Sequence, residues 1–255
     1  MELKEPLIVG IIPARYASTR FPAKPLAMIA GKSMIQRVYE RSLKARKLHS
    51  VYVATDHVAI AEAVLSFGGN VIMTNAYHPN GTSRCEEAVA SLEFVPNAVI
   101  NIQGDEPIIA PEQIDLLADL LLTNKMSIAT LCRKVNSVEE LTNDTVIKVV
   151  KAGQKAIYFS RNCIPHLIGT AHNDYLQQHT FYKHIGLYGF KTEVLQKLVL
   201  LPESPLERAE QLEQLRWLEN GFEIGICETP QASWSVDVPA DIAIIEKMIG
   251  ELMID

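Results

Sequence analysis

The sequence predicts an α/β fold: a mostly parallel central sheet with helices on both faces and a smaller subdomain set into it. Two observations carry this. Short β-branched apolar runs alternate with helical patterns through the first half, the signature of successive β–α units. The 255 residues, 48% hydrophobic and 21% charged, suffice for one full core and suit a single domain over 1–255.

The first strand is Leu7–Ile12, apolar and bounded by Pro6 and Pro13. A loop from Pro13 to Lys32 precedes a helix from Ser33 to about Leu48. A strand at Val51–Thr55 ends at Asp56, a helix at Val58–Phe67 stops at Gly68-Gly69, and Val71–Met73 is a third strand. Asn80–Ser83 breaks the chain before a helix to about Leu92. Ala98–Ile102 then reads as a buried strand ending in Gln103-Gly104-Asp105-Glu106-Pro107, and Pro111 opens a helix. From about 133 the strands are shorter: Val146–Val150, Ile157–Phe159 and His184–Phe190. One helix is expected over Pro205–Asn220, a strand at Ile224–Cys227 and a closing helix over Pro239–Leu252. Right-handed crossovers put the C-terminal strand ends on one edge, where open α/β sheets bind ligands. The loops after Pro13, Asp56 and Gln103 should therefore converge.

Composition excludes several classes. The net charge of −6 argues against a general nucleic-acid binder, whose affinity comes from basic surface. No run approaches the roughly 18–20 apolar residues that span a bilayer. The charged start, Met1–Pro6, does not resemble a signal peptide, so a cytoplasmic location is expected. Cys85, Cys132, Cys163 and Cys227 lie far apart in sequence, without a CxxC pair, and read as small buried apolar residues.

Three loops carry candidate chemistry. Pro13–Leu26 combines small residues with Arg15, Arg20 and Lys24, a composition suited to phosphates, yet it is neither a Walker loop nor a GxGxxG fingerprint. The Asp105-Glu106 pair at a strand end could hold a hard divalent cation, or could be a solvated turn. Asp237 lies at a strand-to-helix junction and could reach the same cation, whereas Asp241 fits a first helical turn. By themselves, Tyr188 and His184 read as packing residues, and Glu213 and Gln214 as a solvated helix face.

Together these segments form a pattern: IPARYASTRFPAKPL at Ile12–Leu26, ATD at Ala54–Asp56, NGTSR at Asn80–Arg84, QGDEP at Gln103–Pro107, YFSR at Tyr158–Arg161, KHIGLYGF at Lys183–Phe190, SPLERAEQLEQLRWLENG at Ser204–Gly221 and SVDVPADI at Ser235–Ile242. In this order, over nearly the whole chain, they resemble the 3-deoxy-manno-octulosonate (KDO) cytidylyltransferases. The resemblance implies a Rossmann-like nucleotide-diphospho-sugar transferase fold. It also implies transfer of CMP from CTP to KDO with release of pyrophosphate, a supply of activated KDO for lipopolysaccharide, a Mg2+ cofactor and a homodimer formed partly by residues 133–222.

Carried over position by position, the resemblance assigns Arg15 and Lys24, assisted by Ser18 and Arg20, to the CTP phosphates. Arg84, with Gly81 and the backbone near Ala14, goes to the cytosine. Asp105 and Asp237 go to magnesium, so that Arg15, Lys24, Asp105 and Asp237 form the catalytic set. Gln103, Arg161, His184, Tyr188, Glu213 and Gln214 go to the sugar, with Arg161 facing its carboxylate. An 8-amino analogue or a sialic acid remains open as the sugar, as does a catalytically silent nucleotide-binding protein on the same fold. Three positions differ from the usual family pattern: Ala23 where glycine is usual, Ser83 where an acid is usual, and VDVPAD in place of VDTPED.

Overall fold

The structure, a computed structural model, describes residues 6–17, 20–123 and 126–252. Ser18, expected to assist at the phosphates, lies outside the described residues. Strand β1 (Ile8–Ala14) occupies the middle of the parallel half of the sheet. It pairs in parallel with β4 (Ser50–Thr55) on one side and β6 (Ala98–Asn101) on the other, and β4 pairs with β5 (Val71–Met73). Alternation along β1 sets the layers, because successive side chains point to opposite faces. Ile8 and Ile12 join a core with helices α1 (Met34–Ser42), α2 (Val58–Ser66) and α4 (Pro111–Thr123). Val9 and Ile11 join a second core with α3 (Gly81–Ala90), α7 (Thr192–Leu198) and α9 (Glu213–Glu219).

The sheet is mixed beyond β6. Its nine strands run β5-β4-β1-β6-β10-β7-β11-β9-β8, with β7 Ile128–Lys134, β8 Lys148–Ala152, β9 Lys155–Ser160, β10 Tyr182–Lys191 and β11 Ile224–Glu228. Strand β10 is antiparallel to both β6 and β7, β11 is parallel to β7, and β9 is antiparallel to β11 and β8. The expectation of a mostly parallel sheet thus describes the first half of the chain only.

Several elements differ from their sequence reading. Strand β7 was not expected, although it is fully buried through Ile128–Cys132; its Arg133-Lys134 end hides the apolar run. The Pro13–Lys32 loop contains a 3-10 turn at Lys24–Leu26 and a hairpin of β2 (Met28–Ile29) and β3 (Lys32–Ser33), whose turn residues Ala30 and Gly31 both have positive φ. The helix expected over Pro205–Asn220 is two helices, α8 (Pro205–Glu210) and α9, separated by Gln211 at φ 55°. Short helices α5 (Val138–Thr142) and α6 (Tyr175–Gln178) were also unanticipated; α10 (Asp241–Leu252) closes the chain. Cys85 and Cys132 are buried, whereas Cys163 and Cys227 are partly exposed; all four are free.

Candidate functional site

The C-terminal ends of β1 and β6 come together because glycine lets them. A Cβ on Gly104 would sit 2.8 Å from the Pro13 carbonyl oxygen, a contact no side chain tolerates, and one on Gly81 would lie 3.2 Å from Pro13 Cγ. The result is a cavity of about 400 Å³ whose lining includes Ala14, Arg15, Arg20, Lys24, His78, Asn80, Gly81, Arg84, Gln103, Asp105 and Asp237. The first, third and last sequence-flagged loops therefore meet in one place. The Asp56 loop contributes from behind: Asp56 Oδ2 accepts from Arg84 at 3.2 Å.

Charge inside this cavity is paired. Lys24 Nζ donates to Asp105 Oδ2 at 2.7 Å and to the Val236 carbonyl at 2.9 Å, while Arg20 donates to Asp237 Oδ1 at 3.0 Å. The Val236 N–H in turn bonds the Asp105 carbonyl at 2.9 Å, so Lys24 and one backbone bond tie the two acidic segments together. Asp241 has the structural role expected of it. Its Oδ2 accepts from the Asp237 and Val238 N–H groups at 2.8 and 2.9 Å, which holds its carboxyl below the usual range and fixes the turn bearing Asp237. Arg15 is exposed at the rim.

Arg84 is 4% exposed, with its guanidinium held by Thr74 Oγ1 at 2.6 Å and by Asp56. It lines the cavity as an oriented group, since a buried cation requires partners. Asn80 caps α3, its Oδ1 accepting from Ser83 N–H at 2.9 Å. Ser83, standing where an acid is usual, makes contact with His78 Nδ1 at 3.1 Å; the other ring nitrogen of His78 bonds Glu87 one turn further along α3. Glu87 thus supplies a carboxylate to His78 that Ser83 lacks.

A second cavity, about 350 Å³, adjoins the first and shares Gln103 and Asp105 with it. Its other polar lining is Glu106, Lys183, His184, Ser233 and Ser235. His184 Nε2 lies 2.9 Å from Thr130 Oγ1, and burial pushes its pKa down to about 3, so the ring is neutral near pH 7. Glu106 is buried, its Oε2 without a hydrogen-bond partner among the described residues, and burial, opposed by a Ser233 hydrogen bond and helped by the Asp105 charge, pushes its carboxyl up to about 7. Glu106 and Lys183 were not singled out individually from the sequence. The Asp105-Glu106 pair was the available signal for the first; Lys183, paired here with Glu140, gave none.

Four residues expected at the sugar line neither cavity. Arg161 was expected to await a carboxylate, but its donors are engaged: Nε bonds the Glu210 carbonyl at 2.7 Å, Nη1 the Asp144 carbonyl at 3.2 Å and Nη2 the Gln211 carbonyl at 3.4 Å. It caps the C-terminus of α8 where the Gln211 break frees carbonyls. Tyr188 is buried against Phe190 and Trp217. Gln214 is buried in α9, and Glu213 accepts from Asn80 and Thr82 instead of facing either cavity.

A nucleotide-sized basic cavity at the strand ends of an α/β sheet, with acidic groups and an adjoining polar cavity, defines a nucleotidyltransferase. The family profile described as Cytidylyltransferase matches residues 9–224. Among curated relatives, the 3-deoxy-manno-octulosonate cytidylyltransferase of Parabacteroides distasonis is 48% identical, covering 92% of this chain and 94% of its own. That of Cytophaga hutchinsonii is also 48% identical, over 92% and 94%. A solved structure of CMP:2-keto-3-deoxy-manno-octonic acid synthetase complexed with CTP is 38% identical, with a TM-score of 0.89 over 96% of this chain and 99% of that one. The chain belongs to the 3-deoxy-manno-octulosonate cytidylyltransferases.

Proposed function

We propose that this enzyme joins CMP from CTP to 3-deoxy-D-manno-octulosonate and releases pyrophosphate. The observation that carries the reading is the pair of adjoining cavities sharing Gln103 and Asp105: one basic and glycine-lined, the other polar and suited to a hydroxylated acid. The anomeric C2 hydroxyl attacks the α-phosphorus in line; the new O–P bond forms as the bond to the bridging oxygen breaks, pyrophosphate leaves and the hydroxyl proton is released. Such chemistry depends on positioning and on charge stabilisation. Arg15, Arg20 and Lys24 serve the phosphates, and Ser18 is assigned with them from the family resemblance. Arg84, Gly81 and the Ala14 backbone serve the cytosine. Gln103 and His184 face the sugar, joined by Glu106.

Asp105 and Asp237 suit magnesium, a hard cation that commonly takes one or two carboxylates and completes its shell with water and phosphate oxygens. Among the described residues no cluster of three or more His, Cys, Asp or Glu side chains is placed to hold a metal ion, and one or two carboxylates are the usual protein share of a magnesium shell. Their Lys24 and Arg20 partners are also the cations the phosphates need. When bound, the ion supplies charge neutralisation at the phosphates and acidifies the attacking hydroxyl.

The same reading includes a cytoplasmic enzyme supplying lipopolysaccharide synthesis and a homodimer built around 133–222. No helix among the described residues is long and apolar enough to cross a membrane. The test is pyrophosphate release from CTP and Mg2+ with KDO, its 8-amino analogue or N-acetylneuraminic acid, with EDTA as control. Release with KDO alone, abolished by EDTA, is expected; release with another sugar renames the substrate, and no release with any overturns the reading.

A further inference from the structure

Glu213 opens α9, the helix after the Gln211 break, and its two carboxylate oxygens are divided between two residues of another element. Oε1 accepts from Asn80 Nδ2 at 3.0 Å and Oε2 from Thr82 Oγ1 at 3.0 Å. Asn80 is the N-cap of α3, and both ends of its amide are engaged: Oδ1 accepts from Ser83 N–H while Nδ2 donates to Glu213. This fixes which way the amide points, because a flipped amide would set its NH2 against the Ser83 N–H. Asn80, Gly81 and Arg84 all line the basic cavity, whereas Glu213 lines neither cavity.

No cation among the described residues forms an ion pair with this carboxylate. Arg216, on the same helix, spends Nε and Nη2 on Glu207 and Nη1 on the Leu201 carbonyl. Two neutral donors therefore hold a half-buried acid, where a carboxylate taken partly out of water needs such donors.

We infer that Glu213 is a positioning residue for the nucleotide: it braces the first turn of α3 through Asn80 and Thr82 and so sets the shape of the CTP cavity. The inference rests on the reading that this cavity takes CTP. It also joins the second half of the chain to the nucleotide loop of the first, across the contact between Glu213 of α9 and the start of α3. The titratable groups around Glu213 are Cys85 on α3, Tyr188 on β10, Glu207 on α8 and Arg216 on α9. Burial pushes the Glu213 carboxyl up to about 7, with Thr82 and Arg216 opposing and Glu207 adding. The brace is therefore complete in alkaline solution and weakens as the carboxylate takes up a proton.

The test measures CTP binding by calorimetry without sugar, at pH 8 and pH 6, for wild type, Glu213→Gln and Thr82→Val. Glutamine keeps the size but offers one accepting oxygen in place of two. At pH 8, CTP affinity is expected to fall about three- to tenfold in each variant, the scale of one lost hydrogen bond. The gap between wild type and Glu213→Gln should shrink at pH 6. The KM for sugar at saturating CTP should stay within about twofold in both variants.

CTP affinities of both variants within about twofold of wild type overturn the inference, whether or not the sugar KM rises. If Glu213→Gln fails to fold by thermal melting, Thr82→Val, which loses one hydroxyl, decides alone. A wild type that binds no CTP overturns the functional reading and this inference with it; wild-type binding with unaltered variants overturns the inference only.

Discussion

Arg15 and Arg161 look alike in the sequence, each an arginine in a motif at the end of a strand, yet they occupy opposite situations. Arg15 lies at the rim of the basic cavity with its side chain exposed to solvent, whereas Arg161 is bonded to three carbonyls around the end of α8. The same contrast separates the two halves of the molecule. In the parallel half, polar residues at strand ends line a cavity and are paired through contacts that phosphates can replace. In the antiparallel half they hold the backbone together. Lys148, fully buried, gives its ammonium to the carbonyls of Asn143, Val146 and Arg161, and Glu210 binds Ser160 and the Arg161 N–H. A parallel β–α unit leaves its strand ends open by construction. Short antiparallel strands with irregular connections leave carbonyls that must find donors inside the chain.

The sharpest way to break this comparison is at Asp105. If it belongs to an exchangeable, chemistry-bearing half, Asp105→Asn should lower pyrophosphate release by about 10²- to 10³-fold at saturating Mg2+ with little change in melting temperature. Turnover within tenfold of wild type would remove the metal role.

Arg161→Ala should behave in the opposite way. Its expected signature is a loss of about 2–3 kcal/mol in urea unfolding, since several bonds from a charged donor disappear and α8 loses its C-terminal partner. A variant of normal stability whose sugar KM alone rises would return Arg161 to the sugar site.

His184 sits on the boundary and gives a pH test. Its native pKa of about 3 lies below the ordinary imidazole value, so the unfolded chain binds more protons between those limits. Its contribution is present above about pH 6.5 and is lost as pH falls towards 3; by pH 5 the loss is on the order of 2 kcal/mol. Urea midpoints at pH 7.5 and pH 5 should therefore separate less in His184→Gln than in wild type. Equal slopes in both would mean that the ring is solvated.

The smallest effect is expected at Ala23, which has φ 53° at the start of the 3-10 turn bearing Lys24. A left-handed conformation costs an alanine about 1–2 kcal/mol, partly offset by glycine's greater freedom when unfolded, so Ala23→Gly should stabilise by roughly 0.5–1 kcal/mol. The alanine-for-glycine difference in this motif thus has a backbone consequence. No change in stability would show that the turn relaxes around the side chain.

The sequence by itself determined the parallel half: β1, β4, β5 and β6 were legible as apolar runs, and the order of strands and helices sent three loops to one edge. Lys24, Asp105 and Asp237 stood out in their loops, Gly81 and Arg84 were assigned from the family resemblance, and all five line one cavity. The second half was not legible in the same way. Strand β7 was masked by its charged end, and the break at Gln211 carries no glycine or proline to announce it. Beyond that break Glu213 meets Asn80 and Thr82, and Arg161 bonds the Glu210 and Gln211 carbonyls beside it. Sequence spacing fixes what a residue can reach along its own element. Only the tertiary structure decides which buried donors and acceptors must satisfy one another across elements, and that requirement, more than residue type, separates Arg161 and Glu213 from the groups that face the cavities.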